Sequence, residues 1–447
     1  AAALAEEIEG MPFLDAARTT PANVAELLGG LSAQGRHASE LAADALHRAL
    51  GGAAASGEPL APTGSGEPTL REGEHVAVAL SGGVDSAVAA LLERERGAEV
   101  VAVTVKLWAD QRTDAAKSCC SPLAVLGARE LAHSLGMPHV TLDLEQRFRR
   151  EVVGGFVAGH RAGRTPNPCV LCNGSVRIDA MLELATRLGA SSLATGHYAR
   201  LERFGDEALL AAPADDSKDQ TYMLSGVSPR TLGRMSFPLA ELRKARVRAL
   251  AAEAGLMVAT KSESQDLCFL AGEGKRSFLA RHGGLADRSG ELRSAAGELL
   301  GVHAGYHHFT VGQRRGIGIA GPEPLYVLRT DAAANRVTVG TKAELATRTV
   351  RVRDAVLYRD GGRVDRVRLR YRSAPIECAV SPDVDEGSAP SASGRSAAAR
   401  AASRGPAAGP HPRLRLELAE PAHGVAPGQT ACLMEGELVV GRATIAP

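Results

Sequence analysis

The sequence predicts an α/β protein in which a parallel sheet covered by helices is followed by smaller β-rich domains. Three observations support this fold class. The apolar segment 75–80 leads through a glycine-rich turn into a helical pattern at 87–96. Apolar strands then alternate with helical segments up to residue 195, as expected for a parallel sheet with helical crossovers. Beyond about residue 285, short apolar strands are separated by turn residues, which favours small β domains.

The predicted elements follow in order along the chain. Residues 20–23 (TPAN) form a capping sequence for a short helix through Leu28, and residues 39–50 predict a second helix. In the α/β part, we predict strands at 75–80, 99–105, 139–144 and 192–195 and helices at 87–96 and 123–135. In the β-rich part, we predict strands at 325–329, 336–339, 367–370, 414–418 and 437–440. We therefore expect a helical segment (1–52), a Gly/Pro/Ser-rich linker (53–72), an α/β domain (73–280), a central β-rich domain (281–343) and a C-terminal β-rich domain (344–447) with a low-complexity, disordered insertion (381–411).

Charge, composition and cysteine content exclude several classes of protein. The 447 residues carry 52 Lys and Arg against 51 Asp and Glu, which excludes a globally basic nucleic-acid binder but not a local basic groove. Aromatic residues make up 3%, too few for platforms on which single strands stack. We expect no membrane span and no signal peptide, because no long apolar segment and no leader pattern is present. Seven cysteines do not suit a secreted disulfide scaffold, so we expect a reducing, cytoplasmic location.

The loop 81–86 (SGGVDS) follows the first strand of the α/β domain and opens a helix. Its two glycines allow the backbone to approach an anion, and the helix N-terminus presents N–H groups to it. Asp85 offers an oxygen ligand of the kind that Mg²⁺ prefers. An ordinary helix cap is the alternative, but the whole string behind a strand favours phosphate binding, without the lysine of a Walker A loop. The loop resembles the PP-loop of ATP pyrophosphatases, which adenylate an oxygen and release pyrophosphate.

Three cysteines lie in contexts that favour reactivity. Cys169 and Cys172 follow a proline-containing turn, and Arg177 comes soon after; a helix start and a nearby cation both favour thiolate. Cys268 lies far downstream. No second ligand pair stands at zinc spacing, and the pair is not at a first strand–helix turn, so zinc and thioredoxin-like sites are disfavoured. We expect the others to be structural: Cys119, Cys120, Cys378 and Cys432. An adenylating loop with reactive cysteines favours sulfur insertion, in which ATP activates a carbonyl oxygen and a cysteine persulfide supplies sulfur.

Eight ordered strings resemble those of the bacterial tRNA-specific 2-thiouridylase family, MnmA. They are 79–86 (ALSGGVDS), 163–173 (GRTPNPCVLCN), 194–198 (ATGHY), 217–222 (SKDQTY), 266–269 (DLCF), 310–318 (TVGQRRGIG), 370–372 (RYR) and 427–429 (PGQ). The resemblance covers residues 73 to about 380 and 412–447. It implies a PP-loop catalytic domain, a central tRNA-binding domain and a C-terminal β-barrel. It also implies a tRNA-uridine 2-sulfurtransferase that uses ATP and Mg²⁺ to thiolate the wobble uridine (U34) of tRNAs for Lys, Glu and Gln.

The resemblance also implies roles for individual residues. The ATP-binding residues would be Ala79, Leu80, Ser81, Gly82, Gly83, Val84, Asp85, Ser86, Val105 and Gly196. The tRNA-binding residues would be Asn167, Pro168, Cys169, His197, Lys218, Asp219, Gln220, Arg370, Tyr371 and Gln429. Cys268 would carry the incoming persulfide, and Cys172 would be the nucleophile that releases sulfide or closes a disulfide with Cys268. The implied partners are tRNA and a cysteine desulfurase or a sulfur-relay protein, with no membrane.

One position departs from the family pattern. Many relatives have Asp, the proposed acid/base, where Cys169 stands, and a thiol does this work only if its pKa is tuned. Cys169, Cys172 and Cys268 can instead ligate three irons of a [4Fe–4S] cluster with the fourth iron open to sulfide. The persulfide relay and the cluster are therefore alternatives.

Two other classes also stay open: a different PP-loop adenylating enzyme, which needs no paired cysteines, and a non-catalytic sulfur or iron–sulfur carrier, which does not cleave ATP.

The N-terminal segment has a resemblance of its own. Residues 36–46 (RHASELAADAL) are similar to the last helix of IscU/NifU-type iron–sulfur scaffolds, with Ala38 where those proteins have cysteine. We expect a degenerate scaffold remnant that docks a cysteine desulfurase. A plain helical extension is the alternative.

Overall fold

The computed structural model describes residues 2–32, 35–56, 74–110, 122–261, 267–270, 272–319, 323–383 and 405–447. Its α-helices are α1 (Ala2–Ile8), α2 (Phe13–Ala16), α3 (Pro21–Leu27), α4 (Arg36–Ala55), α5 (Val84–Glu95), α6 (Pro122–Ser134), α7 (Glu145–Phe148), α8 (Gly154–Arg161), α9 (Pro168–Leu171), α10 (Ile178–Arg187), α11 (Thr221–Leu224), α12 (Pro229–Gly233), α13 (Lys244–Glu253) and α14 (Lys275–Gly283). π-helical turns at Arg149–Val153 and Cys172–Arg177 join α7 to α8 and α9 to α10. No helix within the described ranges is long and apolar enough to cross a membrane.

The strands fall into three sheets. They are β1 (His75–Ala79), β2 (Glu99–Lys106), β3 (His139–Asp143), β4 (Ser192–Thr195), β5 (Arg200–Phe204), β6 (Glu207–Ala211), β7 (Met235–Ser236), β8 (Gly290–Ser294), β9 (Leu299–His303), β10 (Tyr326–Asp331), β11 (Arg336–Gly340), β12 (Ala346–Leu357), β13 (Arg366–Arg368), β14 (Ile376–Pro382), β15 (Gly409–His423), β16 (Thr430–Glu435) and β17 (Leu438–Ile445). The central region forms a four-stranded sheet in the order β10-β11-β8-β9.

A five-stranded parallel sheet forms the centre of the α/β part, in the order β3-β2-β1-β4-β7. Its inner strands are apolar on both faces, as a sheet covered by helices requires. At the carboxyl end of β1, Ala79 pairs with Val103 of β2 and with Thr195 of β4. The loops after these strands therefore leave the sheet at one edge, which is where ligands bind in open α/β sheets. The predicted parallel sheet is confirmed.

Six antiparallel strands of the C-terminal region close into a barrel, in the order β12-β15-β14-β13-β16-β17. Closure comes from pairing of β17 with β12, where Ile445 lies opposite Val352. The expected barrel is thus confirmed. The hairpin β5–β6, which comes from the α/β part, extends the barrel sheet because Leu210 pairs with Val439. A hairpin that lies between β4 and β7 in the chain therefore joins the barrel sheet, through backbone pairing that no local sequence pattern indicated.

The N-terminal helices cover edge strand β3 of the parallel sheet. The backbone N–H of His139 in β3 donates to the Ala17 carbonyl at 3.1 Å, which protects an otherwise unpaired edge. The rings of His47, His133 and His139 meet in this contact, with centroids between 5.3 and 6.5 Å apart. Burial lowers the pKa of all three, that of His47 to about 4. These rings are therefore neutral at pH 7.

Helix α4 is longer than predicted, and the expected linker at 53–72 therefore begins too early. The helix runs through two glycines to Ala55. A Cβ at Gly51 would lie 2.4 Å from the Thr141 carbonyl oxygen of β3. The glycine therefore lets the helix pack directly on the edge strand, and this tertiary contact outweighs the weak helix propensity of glycine.

The low-complexity insertion is shorter than the predicted range of 381–411. Strand β14 runs to Pro382, and β15 begins at Gly409. Ladder pairing within the barrel holds both segments in extended conformation. Outside the described residues lie 384–404 of the insertion, 57–72 of the linker, Cys119, Cys120 and Asp266.

Candidate active site

The loop 81–86 joins β1 to α5 at the carboxyl edge of the parallel sheet. Gly82 has a φ of +68°, which L side chains rarely adopt. The Ser86 hydroxyl lies inside the loop, where it accepts from the Ser81 N–H at 3.1 Å and donates to the Gly83 carbonyl at 3.1 Å. The loop is thereby folded onto the first turn of α5. The N–H groups and positive dipole end of that helix favour an anion.

A cavity of about 200 Å³ opens beside the loop. Its lining residues are Ala79, Leu80, Ser81, Asp85, Ser86, Val103, Thr104, Val105, Arg177, Met181, Thr195, Gly196, His197 and Gln220. The cavity thus gathers most of the predicted ATP-binding residues, and the other three, Gly82, Gly83 and Val84, belong to the loop itself. A Cβ at Gly196 would lie 2.6 Å from backbone atoms of Asp85 and Ser86. The end of β4 is therefore in direct backbone contact with the phosphate loop.

Asp85 is held by two side chains from other elements. Lys244 of α13 donates to both carboxylate oxygens at 2.6 and 2.8 Å, and the Tyr198 hydroxyl donates to Oδ1 at 3.0 Å. A carboxylate beside an anion cavity repels phosphate, and the ammonium group offsets that repulsion. Asp85 is a poor fit to the expected Mg²⁺, because a metal ion would have to displace Lys244 from both oxygens. Lys244 was missed from the sequence, since it lies 159 residues away and belongs to no motif.

Replacing Lys244 by methionine is expected to raise the KM for ATP by about tenfold, because Asp85 then carries an uncompensated charge beside the phosphates. The double variant Asp85→Asn/Lys244→Met is expected to recover most of this loss, since both charges are gone. Pyrophosphate release at increasing ATP concentrations gives the KM of each variant in this double-mutant cycle. Lys342→Met, at an exposed position between β11 and β12, is the control. A double variant weaker than Lys244→Met would contradict the pairing and indicate that Asp85 acts on the ligand.

His197 is fixed as a neutral ring in the cavity wall. Arg177 donates to Nε2 at 3.1 Å, so Nδ1 carries the proton and donates to the Thr195 hydroxyl at 2.8 Å. Burial and the neighbouring Arg177 lower the pKa of His197 to about 3. The ring is therefore uncharged at neutral pH. Its expected contact with tRNA stays a prediction.

Cys169 and Cys172 lie at the start of a continuous helical run, 168–187, formed by α9, a π-turn and α10. Asn167 caps this run, because its Oδ1 accepts from the N–H groups of Cys169 at 3.1 Å and of Val170 at 3.4 Å. Pro168, the first residue of α9, is buried. Cys172 is 8% exposed, whereas Cys169 is half-buried. The two thiols therefore differ in access although they share one helix end.

The same helical run reaches the nucleotide cavity. Arg177, the last residue of the π-turn, and Met181 of α10 both line the cavity. Cys172 and Arg177 are the first and last residues of the π-turn, so a single i to i+5 turn separates them. Cys172 and two residues of the cavity wall thus belong to one continuous helical run.

Cys268 stands in a 3₁₀ turn at 268–270 that Phe269 anchors. The Phe269 ring lies 5.2 Å from Phe156 and 6.4 Å from Trp108. Cys172 belongs to the hydrophobic cluster that contains these rings, and Cys268 packs against it. Phe269 therefore anchors the Cys268 segment in the same hydrophobic cluster that contains Cys172.

Two groups among the described residues bring three His, Asp or Glu donor atoms within 4.8 Å of one another. They are Asp287 with His307 and His308, and Asp110 with Glu273 and His282. Neither includes a cysteine. In the second group, Arg281 donates to both Asp110 and Glu273, so an ion-pair network already satisfies the carboxylates.

The string 217–222 is bonded mainly within the protein. Asp219 accepts from Arg368 of β13 at 2.6 Å. The Gln220 side-chain oxygen accepts from the Tyr198 N–H at 2.9 Å. Lys218 is half-buried at the end of a 3₁₀ turn. The expected tRNA contacts of these residues stay predictions, while their internal bonds connect the barrel to the cavity wall.

Two barrel residues that were predicted to bind tRNA make hydrogen bonds to backbone carbonyls of the protein. Gln429 donates to the Thr165 carbonyl at 2.8 Å, just before the cysteine-bearing helix. Arg370 donates to the Gly424 carbonyl and to a carbonyl of the central domain at 3.1 Å, and burial lowers its pKa. Tyr371 is half-buried beside it. The barrel therefore positions the segment that leads into the cysteines.

A parallel sheet, the loop 81–86 and a cavity at the carboxyl edge define a PP-loop enzyme that uses ATP. Three family profiles match the chain in order: the tRNA methyl transferase HUP domain (74–272), the tRNA methyl transferase PRC-barrel domain (276–341) and the aminomethyltransferase β-barrel domain (409–445). The chain belongs to the tRNA-specific 2-thiouridylase family, MnmA, whose members are sulfurtransferase enzymes. The enzyme class that the sequence strings implied is thereby confirmed.

Relatives of this family cover most of the chain, and one covers nearly all of it. The bifunctional protein NifU/MnmA of Rubrobacter xylanophilus is 44% identical over 99% of this chain and 85% of its own length, so the match includes the N-terminal helices. The tRNA-specific 2-thiouridylase MnmA of Acidobacterium capsulatum is 40% identical over 82% of this chain and 97% of its own length. A 4-thiouridine synthetase solved with RNA and ATP is 21% identical over 47% of this chain and 50% of that chain, with a TM-score of 0.31.

Proposed function

We propose that this enzyme catalyses the ATP-dependent 2-thiolation of the wobble uridine (U34) of tRNA. The observation that carries the proposal is the helical run 168–187, which begins with Cys169 and Cys172 and supplies Arg177 and Met181 to the nucleotide cavity. A base that is adenylated in this cavity lies within about two helical turns of a thiol. The proposed substrates are the tRNAs for Lys, Glu and Gln.

The proposed reaction has an adenylation step and a sulfur-transfer step. The uridine loses its N3 proton, its C2 oxygen attacks the α-phosphate of ATP, and pyrophosphate leaves. The terminal sulfur of a Cys268 persulfide then attacks C2, and AMP leaves. The Cys172 thiolate attacks the Cys268 sulfur, which breaks the sulfur–sulfur bond to the base and closes a Cys172–Cys268 disulfide. The base regains a proton as 2-thiouridine, and a dithiol reductant restores both thiols.

The sulfur donor that we propose is a cysteine desulfurase or a sulfur-relay protein in the cytoplasm. Such a donor transfers a sulfur atom to the Cys268 thiolate and thereby leaves a persulfide on this chain. The N-terminal helices on β3 are the proposed docking segment for it. The match of this segment with the NifU/MnmA relative supports this assignment.

The test combines the purified enzyme with ATP, a tRNA transcript, a cysteine desulfurase and cysteine. We expect AMP, pyrophosphate and 2-thiouridine in equal amounts, measured by chromatography and nucleoside mass spectrometry. A transcript with cytidine at the wobble position is the control and should yield none of the three. No ATP cleavage with tRNA would instead indicate a carrier, and cleavage without thiolation a different adenylating enzyme.

Iron analysis of anaerobically purified protein separates the two sulfur routes. The persulfide relay predicts full activity in iron-free, colourless protein. If activity instead tracks bound iron and sulfide, then Cys169, Cys172 and Cys268 hold a cluster and the relay is wrong.

A further inference from the structure

The phosphate loop contains no basic residue, although the pyrophosphate that leaves in adenylation carries several negative charges. The loop 81–86 consists of Ser, Gly, Val and Asp only, unlike phosphate loops that carry their own lysine. The balancing cations must therefore come from other segments. Within the described residues, two lysine ammonium groups bond to the loop: Lys244 to Asp85 and Lys261 to the Gly82 carbonyl.

The two lysines differ in what they bond. Lys244 forms an ion pair with Asp85, so much of its charge is neutralised inside the protein. Lys261 Nζ donates to the Gly82 carbonyl oxygen at 2.8 Å, and within the described part of the chain it makes no ion pair. An ammonium group has three N–H donors, of which this carbonyl takes one. Lys261 therefore brings to the turn of the phosphate loop a positive charge that no carboxylate among the described residues pairs with.

Arg248 fixes the backbone that carries Lys261. Its guanidinium donates to the carbonyl of Ala259 at 2.8 Å and to that of Lys261 at 3.3 Å. Arg248 lies on α13, one turn after Lys244, so a single helix positions both lysines at the loop. Lys261 itself is exposed, and its ammonium is accessible to a ligand that occupies the loop.

We propose that Lys261 binds the pyrophosphate part of ATP and stabilises pyrophosphate as the leaving group. The inference rests on the proposed adenylation, because only that reaction releases pyrophosphate at this loop. Backbone N–H groups of the loop and of α5 hold the phosphates from one side. Lys261 adds a charge at Gly82, where negative charge develops as the bond from the α-phosphate to the leaving oxygen breaks.

The experiment compares Lys261→Met, Lys261→Arg and the exposed control Lys342→Met in tRNA-dependent ATP cleavage. We measure the KM for ATP and the product-inhibition constants of added pyrophosphate and of added AMP. In Lys261→Met, the KM for ATP and the inhibition constant of pyrophosphate should both rise by about tenfold to a hundredfold, the effect of losing a hydrogen bond to a charged group. Inhibition by AMP should stay unchanged, because AMP lacks the β- and γ-phosphates. Lys261→Arg should keep most of the wild-type response.

The outcomes separate this inference from the proposed function. Unchanged pyrophosphate inhibition in Lys261→Met would overturn the role of Lys261 while leaving adenylation intact. An equal loss of AMP and pyrophosphate inhibition would overturn it too, because that pattern marks a general distortion of the site. Wild-type enzyme that releases no pyrophosphate with tRNA would refute the proposed function itself. In that case, titration calorimetry of wild type and Lys261→Met with pyrophosphate alone still decides whether Lys261 binds it.

Discussion

In reactions without a dithiol reductant, the variants Cys172→Ser and Cys268→Ser are expected to release no 2-thiouridine above background, while pyrophosphate release with tRNA still occurs. Both thiols act after adenylation in the proposed reaction, and a serine hydroxyl can neither carry a persulfide nor attack a disulfide sulfur. Neither cysteine lines the nucleotide cavity, so ATP use should survive both substitutions. Nucleoside mass spectrometry and a pyrophosphate assay on the same reaction measure the two steps separately.

The two variants should also differ from each other. In Cys172→Ser, the terminal persulfide sulfur of Cys268 still attacks the adenylated base, and no internal thiol is left to break the resulting disulfide. Without a dithiol, a covalent protein–tRNA adduct should therefore accumulate in Cys172→Ser and be absent from Cys268→Ser, and dithiothreitol should release it as tRNA that carries 2-thiouridine. Gel electrophoresis with and without reductant detects it.

Cys378→Ser is the matched control for these variants. Cys378 is half-buried in β14, and burial raises its pKa to about 12, so it is not a thiolate at neutral pH. This variant should retain both steps. Full thiolation by Cys172→Ser or by Cys268→Ser would show that the proposed sulfur route is wrong.

The parts of the fold that short stretches of sequence determine were predicted correctly. The first example is the cap at Thr20, where the hydroxyl accepts from the Asn23 N–H at 3.1 Å and the Asn23 side chain accepts from the Thr20 N–H at 2.9 Å. All atoms of this cap lie within four residues. The loop 81–86 behind β1 is a second example, because a strand, two glycines and a helix start are adjacent in the chain.

The contacts that complete the site join segments far apart and could not be predicted. Lys244 meets Asp85 across 159 residues, and Gln429 meets Thr165 across 264 residues. Arg177 was expected to favour a cysteine thiolate, but its guanidinium bonds His197. Such contacts depend on how the folded helices and strands pack against one another, and neither hydrophobic periodicity nor motif spacing predicts that packing.

The net charge likewise follows from the composition, whereas the positions of the charged side chains depend on the fold. A value of +1 excludes a uniformly basic surface, and it carries no information on where cations lie. The structure brings Arg177 to the cavity wall and the ammonium groups of Lys244 and Lys261 to the phosphate loop. A protein with balanced charge can therefore still present a locally cationic nucleotide site.

The second large effect is expected for Gly196→Ala. The added Cβ would lie 2.6 Å from the Asp85 carbonyl carbon and the Ser86 nitrogen, and neither backbone atom can rotate away as a flexible side chain would. The end of β4 must then move from the phosphate loop, at a cost of about 1–3 kcal/mol. The hydroxyl of Tyr198, in the same segment, donates to Asp85, so this hydrogen bond should be strained as well. We expect tRNA-dependent pyrophosphate release to fall by about tenfold to a hundredfold.

Gly127→Ala separates this effect from a general response to a glycine substitution. Gly127 lies inside α6, and a Cβ there would meet nothing within 4 Å, so alanine should leave activity unchanged and stabilise the helix by about 0.5–1 kcal/mol. Thermal melting and tRNA binding of both variants show whether Gly196→Ala remains folded. Normal melting and tRNA binding with weakened ATP binding would place the defect at the contact between β4 and the loop. Undiminished pyrophosphate release in Gly196→Ala would show instead that the loop does not need this contact to hold the phosphates of ATP.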